Sequence, residues 1–378
     1  MLIARKFVLS IDGAGFRGYA CLVTLHYLMK LLPPNVAGGT TRPCQVFDVI
    51  CGTSTGGLIA VLIGRLGLDC LTAMSVYKDL VAALFAAVDG NGIIGGEGVP
   101  PNVFDQKVAT IVEKYAGDKS APMKISKTCP DKVDHNSTDT FVTVVPSTVG
   151  TAGAEPYRLR SYATPPGGVD SVIGHNWTIC EVIRAVTALP GYIKSVDIGS
   201  QSFQDAALSG AANPVFEAIS EVELRWGKQF EPSITSLGTG LVSFVSIDSD
   251  DELSDRDDEP VYDKLRRAVK SQHSRGMSRS DVFSEQLLRV AQDTELAHRE
   301  ARKQLSKRNL ADNYFRFDPT GGLGDIRTSD VTQAAKITAL TNTWLRTQEG
   351  TNETRRARHV LQTHLAEIRA RSSSILPL

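Results

Sequence analysis

No apolar run in this sequence is long enough to cross a bilayer: the longest, Leu80 to Val88, falls far short of the roughly 20 residues a spanning helix needs. Neither sign of charge prevails, with 41 Lys and Arg against 42 Asp and Glu and a net charge of -1, which gives no footing for nucleic-acid binding. Cysteine is scarce. The six, Cys21, Cys44, Cys51, Cys70, Cys129 and Cys180, are scattered without metal-ligand spacing, so buried thiols in a reducing compartment are expected rather than a zinc site or a disulfide framework. The opening residues do not read as a signal peptide, because Arg5 and Lys6 lead into a strand and then a glycine loop, and a cytoplasmic setting is expected. What remains is a chain of 378 residues, 42% hydrophobic and 22% charged, suited to a soluble globular protein with a substantial core.

One further absence decides between two readings of the first motif. Lys6 to Ile11 reads as a buried strand and runs into Asp12-Gly13-Ala14-Gly15-Phe16-Arg17-Gly18, after which Leu22, Leu25, Leu28, Met29 and Leu32 space out a helix that Pro33-Pro34 stops. The glycines match a dinucleotide-binding loop, which wants an acidic residue roughly twenty positions on to hold the ribose. No Asp or Glu occurs between Asp12 and Asp48. The other use of such a loop is an oxyanion cradle, in which Gly13, Ala14 and Gly15 turn their N–H groups toward one point. Arg17 is either a positive anchor near this loop or a residue that pins it.

The second motif supplies the nucleophile. Val46 to Cys51 is an apolar run of strand length; it feeds Gly52-Thr53-Ser54-Thr55-Gly56-Gly57, and Leu58 to Ile63 then continue as an apolar helix. Strand, Gly-x-Ser-x-Gly turn and helix in that order make either a nucleophile elbow, with Ser54 exposed at the helix N-terminus, or a glycine-rich turn with an ordinary cap serine. Further on, Leu71 to Val88 reads as a helix, Asp89 to Asn102 as a glycine-rich loop that is either a cap over the site or a plain connection, and Val103 to Tyr115 as a short helix. Thr140–Val145 and Tyr157–Tyr162 read as strands, and Thr178 to Glu181 as a capping box opening a helix. Val196–Ile198 and Ser202–Gln204 are strand-like pieces that deliver Asp205-Ala206-Ala207, followed by Asn213-Pro214, a helix from Val215 and a strand at Ile234–Leu237. Asp248 to Glu259 is acidic and lacks the glycine a calcium loop requires, so it reads as a solvated loop. Lys264 to Arg279 carries a basic stretch that is either a solvated helix face or a contact for an anionic membrane surface, and Tyr314-Phe315-Arg316-Phe317 alternates like an added strand.

A serine nucleophile needs a base. None of the seven histidines, His26, His135, His175, His273, His298, His359 and His364, lies in a strand-end loop with small neighbours, although the last four follow Asp205 in the order of a histidine triad. Asp205 is either the base, its pKa raised by burial, or a turn-forming aspartate bonded to its own backbone.

Taken together, the glycine loop from Asp12 to Gly18, the elbow at Gly52, Ser54, Gly56 and Gly57, and Asp205-Ala206-Ala207 with Asn213-Pro214 resemble the patatin-like phospholipase family over roughly Phe7 to Gly240. The resemblance implies a three-layer α/β/α fold around a mostly parallel sheet, and with the shift in composition after it the chain is expected to divide into a core at 1–247, an acidic loop at 248–260 and a mostly helical C-terminal part at 261–378. It implies a Ser54–Asp205 dyad, an acyl-serine intermediate, an oxyanion hole at Gly13, Ala14 and Gly15, and cleavage of glycerolipid esters with neither metal nor organic cofactor. A peripheral membrane surface and fusion to or association with signalling modules fit the same resemblance. The family usually carries glycine after the dyad aspartate, where Ala206 stands here. If that position needs positive φ, alanine is strained there, and a non-catalytic or conditionally activated lipid- or partner-binding module becomes the alternative.

Overall fold

The computed structural model describes residues 5–34, 39–86, 102–125, 138–147, 156–168, 176–190, 192–241 and 294–373. The acidic tract, the basic tract, most of the 89–102 loop, Cys129, His135, His175 and His273 lie outside them.

Eight strands make one sheet: β1 (Arg5–Ile11), β2 (Val49–Thr53), β3 (Asp139–Pro146), β4 (Tyr157–Arg160), β5 (Val196–Ile198), β6 (Gln201–Asp205), β7 (Glu231–Leu237) and β8 (Tyr314–Phe317). They run in the order β5-β6-β3-β2-β1-β7-β8, with β4 also paired to β3. β1, β2, β3, β7 and β8 are mutually parallel, and β4, β5 and β6 join antiparallel. β1 and β2 are central and covered on both faces, which is why they carry unbroken buried runs, Phe7 to Ile11 and Val49 to Thr53, rather than an in-and-out alternation. The sheet is mostly parallel, as expected. The alternating tetrapeptide of the C-terminal part does add a strand, pairing Ile234 to Leu237 with Tyr314 to Phe317 in register.

Side-chain alternation sends the two faces of each strand to different cores. Leu9, Ile11, Ile50, Val142 and Val144 pack on one face against α1 (Tyr19–Lys30), α2 (Ser54–Ala60), α3 (Cys70–Ala86), α4 (Asn102–Ala116) and α5 (Ile179–Val186). Val8, Val49, Cys51, Phe141 and Ile234 face the other way, onto Val215, Ala218 and Val222 of α6 (Val215–Trp226) and Ala301 and Leu305 of α7 (Glu295–Lys307). This gives the three-layer α/β/α arrangement. Two C-terminal helices, α8 (Ala334–Leu345) and α9 (Gln348–Ser373), join the first layer through Ile337, Trp344, Leu345, Leu361 and Leu365. The capping box forms: Thr178 Oγ1 accepts the Glu181 N–H at 3.1 Å while the Thr178 N–H donates to the Glu181 carboxylate at 2.7 Å.

One anchor had no sequence signature. The buried Glu221 carboxylate of α6 accepts from Arg160 Nε at 2.7 Å and Nη2 at 2.8 Å, from Arg158 at 2.9 Å and from the Tyr162 hydroxyl at 2.7 Å. It ties the antiparallel edge of the sheet to the layer beneath it. Burial raises the Glu221 pKa, but hydrogen bonds and charge from Arg160, with Tyr162 and Arg158, outweigh it and hold the group below its ordinary value.

Candidate active site

Register brings the two expected catalytic residues together. Thr53, the last residue of β2, pairs with Thr143 of β3, and the next residue of β3, Val144, pairs with Asp205 at the end of β6. Ser54 and Asp205 therefore flank one strand at one level, roughly 10 Å apart in backbone, a gap their facing side chains close. The level lies at the C-terminal ends of the parallel strands, where β1 delivers the Asp12 loop and ligands of open α/β sheets bind.

The elbow is strained. Ser54 has φ of 55°, and Asn309 is the one other non-glycine residue at positive φ among the described residues. A left-handed backbone costs a residue with a Cβ about 1–2 kcal/mol, and such cost concentrates at functional sites. The turn is tight enough to exclude side chains: a Cβ on Gly56 would stand 2.4 Å from the Asp12 carbonyl oxygen, and one on Gly13 would stand 2.5 Å from Ser54 Cβ. Gly52, Gly57 and Gly18 complete the packing, against Gly56, Val186 and Tyr77 respectively. The strain is measurable in variants. Ser54→Gly is expected to be more stable than Ser54→Ala by about 0.5–1 kcal/mol in urea titration, the relieved strain less the freedom glycine adds to the unfolded chain. Equal stabilities would mean that the elbow is relaxed.

Asp205 is buried, and its pKa is raised to about 7 by desolvation, which outweighs the lowering by the Ser54 hydroxyl and the Ala207 N–H. Oδ1 accepts the Ala207 N–H at 2.8 Å, so the turn-forming bond expected of such an aspartate exists. It occupies only one oxygen. Oδ2 is buried without a hydrogen bond of full geometry, and the Ser54 hydroxyl is the side chain that bears on the carboxylate. Loose alignment of this kind is usual where no substrate is bound. Ala206 sits at φ -83° and ψ -4°, an ordinary right-handed conformation, so alanine in place of glycine carries no backbone strain. Ala207 opens a short 3-10 turn, and Asn213 accepts the Val215 N–H at 3.1 Å to start α6.

The glycine loop departs from expectation at one amide. The Gly13 N–H donates to the Ala212 carbonyl at 2.9 Å, so it is already committed. Beyond it, the Gly15–Phe16 peptide is held at both ends: the Gly15 carbonyl accepts from the Tyr77 hydroxyl at 2.6 Å and from Thr55 Oγ1 at 3.1 Å, and the Phe16 N–H donates to the Thr328 carbonyl at 2.6 Å. Between these clamped peptides lie the Ala14 and Gly15 amides, which have no backbone partner outside the helices and strands among the described residues. Gly15 takes φ of 57°, which glycine adopts without strain. Arg17 is buried and donates Nη1 to the Gly324 carbonyl at 2.8 Å, tying the loop to a turn more than 300 residues away.

The described C-terminal histidines go elsewhere. His298 Nδ1 lies 3.0 Å from the Tyr314 hydroxyl, His364 stacks on Phe7 with ring centroids 3.5 Å apart, and His359 is an exposed residue of α9. None contributes to the shift at Asp205. Among the described residues no cluster of His, Cys, Asp or Glu could hold a metal ion, and no helix is long and apolar enough to cross a membrane.

Site residues missed in the sequence cluster on β8 and after it. Arg316 donates Nη2 to Asp12 Oδ2 at 2.7 Å and to Asp318 Oδ2 at 2.6 Å, with Nη1 to Ser236 at 2.9 Å. A charge set between aromatic residues in an alternating strand was the available signal.

Residues 9–95 match the family model described as patatin-like phospholipase, a span that contains both the glycine loop and the elbow. A calcium-independent phospholipase A2-gamma from Oryctolagus cuniculus is 27% identical over 316 residues, covering 82% of this chain and 34% of the relative. Phospholipase A I of Arabidopsis thaliana is 24% identical over 289 residues, covering 62% of this chain and 21% of the relative. The chain thus spans about a third or less of the length of these relatives. The solved structure of VipD from Legionella pneumophila aligns over 96% of this chain and 67% of its own, at 12% identity and a TM-score of 0.40. The matched family span runs from β1 through the elbow helix, and phospholipases are similar in sequence far beyond it, so the chain resembles the patatin-like phospholipase family.

Proposed function

We propose that this chain is a lipid acyl hydrolase that cleaves fatty-acyl esters of glycerolipids through Ser54 and Asp205. The observation that carries the reading is a strained serine against a buried carboxylate whose pKa is raised to about 7, with no imidazole acting on that carboxylate among the described residues. Near-neutral pKa is what general-base work requires, since the group is then ionised at operating pH and still basic enough to take a hydroxyl proton.

Ser54 Oγ attacks the ester carbonyl carbon as its proton passes to Asp205 Oδ2. The carbonyl oxygen becomes an oxyanion and is held by the Ala14 and Gly15 N–H groups. The C–O bond to the leaving alcohol breaks, and Asp205 returns the proton to that alcohol. Water then attacks the acyl-Ser54 ester with Asp205 again as base, and collapse of the second tetrahedral intermediate releases the fatty acid and restores both groups. Gly13 serves by its lack of a side chain, which lets the loop lie against Ser54, and not as a donor.

The alternative of a non-catalytic module loses its main support with the ordinary backbone at Ala206. Cytoplasmic location, a peripheral membrane contact and association with signalling modules belong to the same proposal. Purified protein should release fatty acid from phosphatidylcholine vesicles, and Ser54→Ala should reduce release to background. Full activity in Ser54→Ala would remove the acyl-serine route.

A further inference from the structure

We propose that Arg316 is a positioning residue for the reaction, fixing the oxyanion loop through Asp12 from a strand 304 residues away. The proposal rests on the acyl-serine reading above and adds a requirement to it: the cradle is built jointly by the two ends of the chain.

Asp12 is the hinge of the loop. Its backbone N–H continues the sheet by donating to the Leu237 carbonyl at 3.0 Å, and the next amide, Gly13, turns away to Ala212. The side chain is fully buried, with Oδ2 on Arg316 and Oδ1 without a partner among the described residues. Burial pushes this carboxyl up and the Arg316 guanidinium pulls it back. Asp318 lies beside the pair, takes the other bond from Arg316 Nη2, and accepts the Gly240 N–H at 2.8 Å on Oδ1. Thr294 Oγ1 lies 3.0 Å from the same guanidinium nitrogen. One planar fork thus holds the first residue of the loop, the end of β7 through Ser236, and the turn after β7 through Asp318. Lysine, a point charge without the fork, cannot bridge these groups.

The same C-terminal segment touches the loop twice more. Thr328 accepts the Phe16 N–H, and Gly324 accepts Arg17. Ala14 and Gly15 hang between the Arg316–Asp12 contact at one end and the Thr328–Phe16 contact at the other. Their amides point where these two clamps aim them, so loosening the Arg316 end misaims the donors without touching the Ser54–Asp205 pair.

A cavity of about 460 Å³ opens on Arg316, lined also by His298, Tyr314, Asp318 and Arg356. It is large enough to admit a small guanidinium, which makes rescue a direct test. In Arg316→Ala and Arg316→Lys, kcat on a soluble fatty-acyl ester should fall by about 10²–10³, the cost of losing an oxyanion donor, with KM changed less than threefold. Ethylguanidinium in the assay should raise kcat of Arg316→Ala at least tenfold and leave wild type unchanged. If Arg316→Ala does not fold by circular dichroism, Asp12→Asn carries the test with the same kcat loss and steady KM. Wild-type kcat in a folded Arg316→Ala or in Asp12→Asn, or a rise in KM at steady kcat, overturns the proposal. So does a lost kcat in folded Arg316→Ala that ethylguanidinium leaves unrestored. Ser54→Ala run in parallel separates the two failures: if it stays active the hydrolase reading falls, whereas its inactivity beside a fully active Arg316→Ala removes the positioning role alone.

Discussion

Asp205→Asn is expected to abolish turnover and, above neutral pH, to make the protein more stable. Asparagine keeps an oxygen for the Ala207 N–H bond at 2.8 Å but has no basic form, so the expected loss is at least the 10²–10⁴ that a general base supplies. The stability gain follows from proton linkage. Burial raises the native Asp205 pKa to about 7 from the ordinary value of 3.8, so between those values the native state keeps a proton that the unfolded chain has released. Stability from this group is present below the unfolded pKa, declines as pH rises, and is gone above about 7, where the buried charge is at full cost. Removing the charge should return on the order of 2–4 kcal/mol at pH 8.5 and nothing at pH 4. Urea titration of both proteins at the two pH values reads this. Equal stability at pH 8.5, or a variant that still turns over, contradicts the assignment. The same titration sets the sign of the activity profile: kcat/KM rises with pH to a plateau above an apparent pKa near 7, because the ionised carboxylate is the active form.

A stability change of comparable size and opposite sign, without chemistry, is expected at Glu221. Its carboxylate receives four hydrogen bonds from Arg158, Arg160 and Tyr162 in a place closed to water. Deleting one member of such a cluster strands the others, and Arg160, which gives Glu221 two of these bonds, is itself buried. Glu221→Gln should cost about 3–5 kcal/mol in unfolding free energy, the range for breaking a buried pair from one side. A cost below 1 kcal/mol would place the cluster in contact with solvent. The depressed Glu221 pKa means its contribution is held above the unfolded glutamate value and lost as pH falls through the lower native one, opposite in direction to Asp205.

These two carboxylates differ in how readily sequence discloses them. Asp205 follows a short strand-like stretch and precedes two alanines, and its place after the two glycine turns was enough to nominate it. Glu221 is one of several acids on an amphipathic helix, and only the packed sheet shows that it faces inward toward two arginines. The strands, the elbow and the capping box were legible because each is written in consecutive residues: apolar runs of strand length, glycine at fixed offsets, Thr178 three residues before Glu181. The commitment of the Gly13 amide to Ala212, and the hold of Arg316 on Asp12, depend on chain segments some 200 and 304 residues distant, and no local pattern encodes such meetings. Histidine order pointed toward a possible triad, and packing explains the His298 and His364 positions instead: one rests on Tyr314, the other on Phe7. Whether the residue after the dyad aspartate must be glycine was likewise undecidable from type alone, and φ of -83° at Ala206 answers it.

Activation of Ser54 by Asp205 is tested by the rate at which a fluorophosphonate modifies the protein from pH 5 to pH 9, with the labelled peptide located by mass spectrometry. The label should fall on Ser54, at a rate that climbs through an apparent pKa near 7, levels off above it, and drops at least a hundredfold in Asp205→Asn. Label on another residue, or a rate on Ser54 indifferent to Asp205 and lost instead when a histidine is replaced, would contradict it.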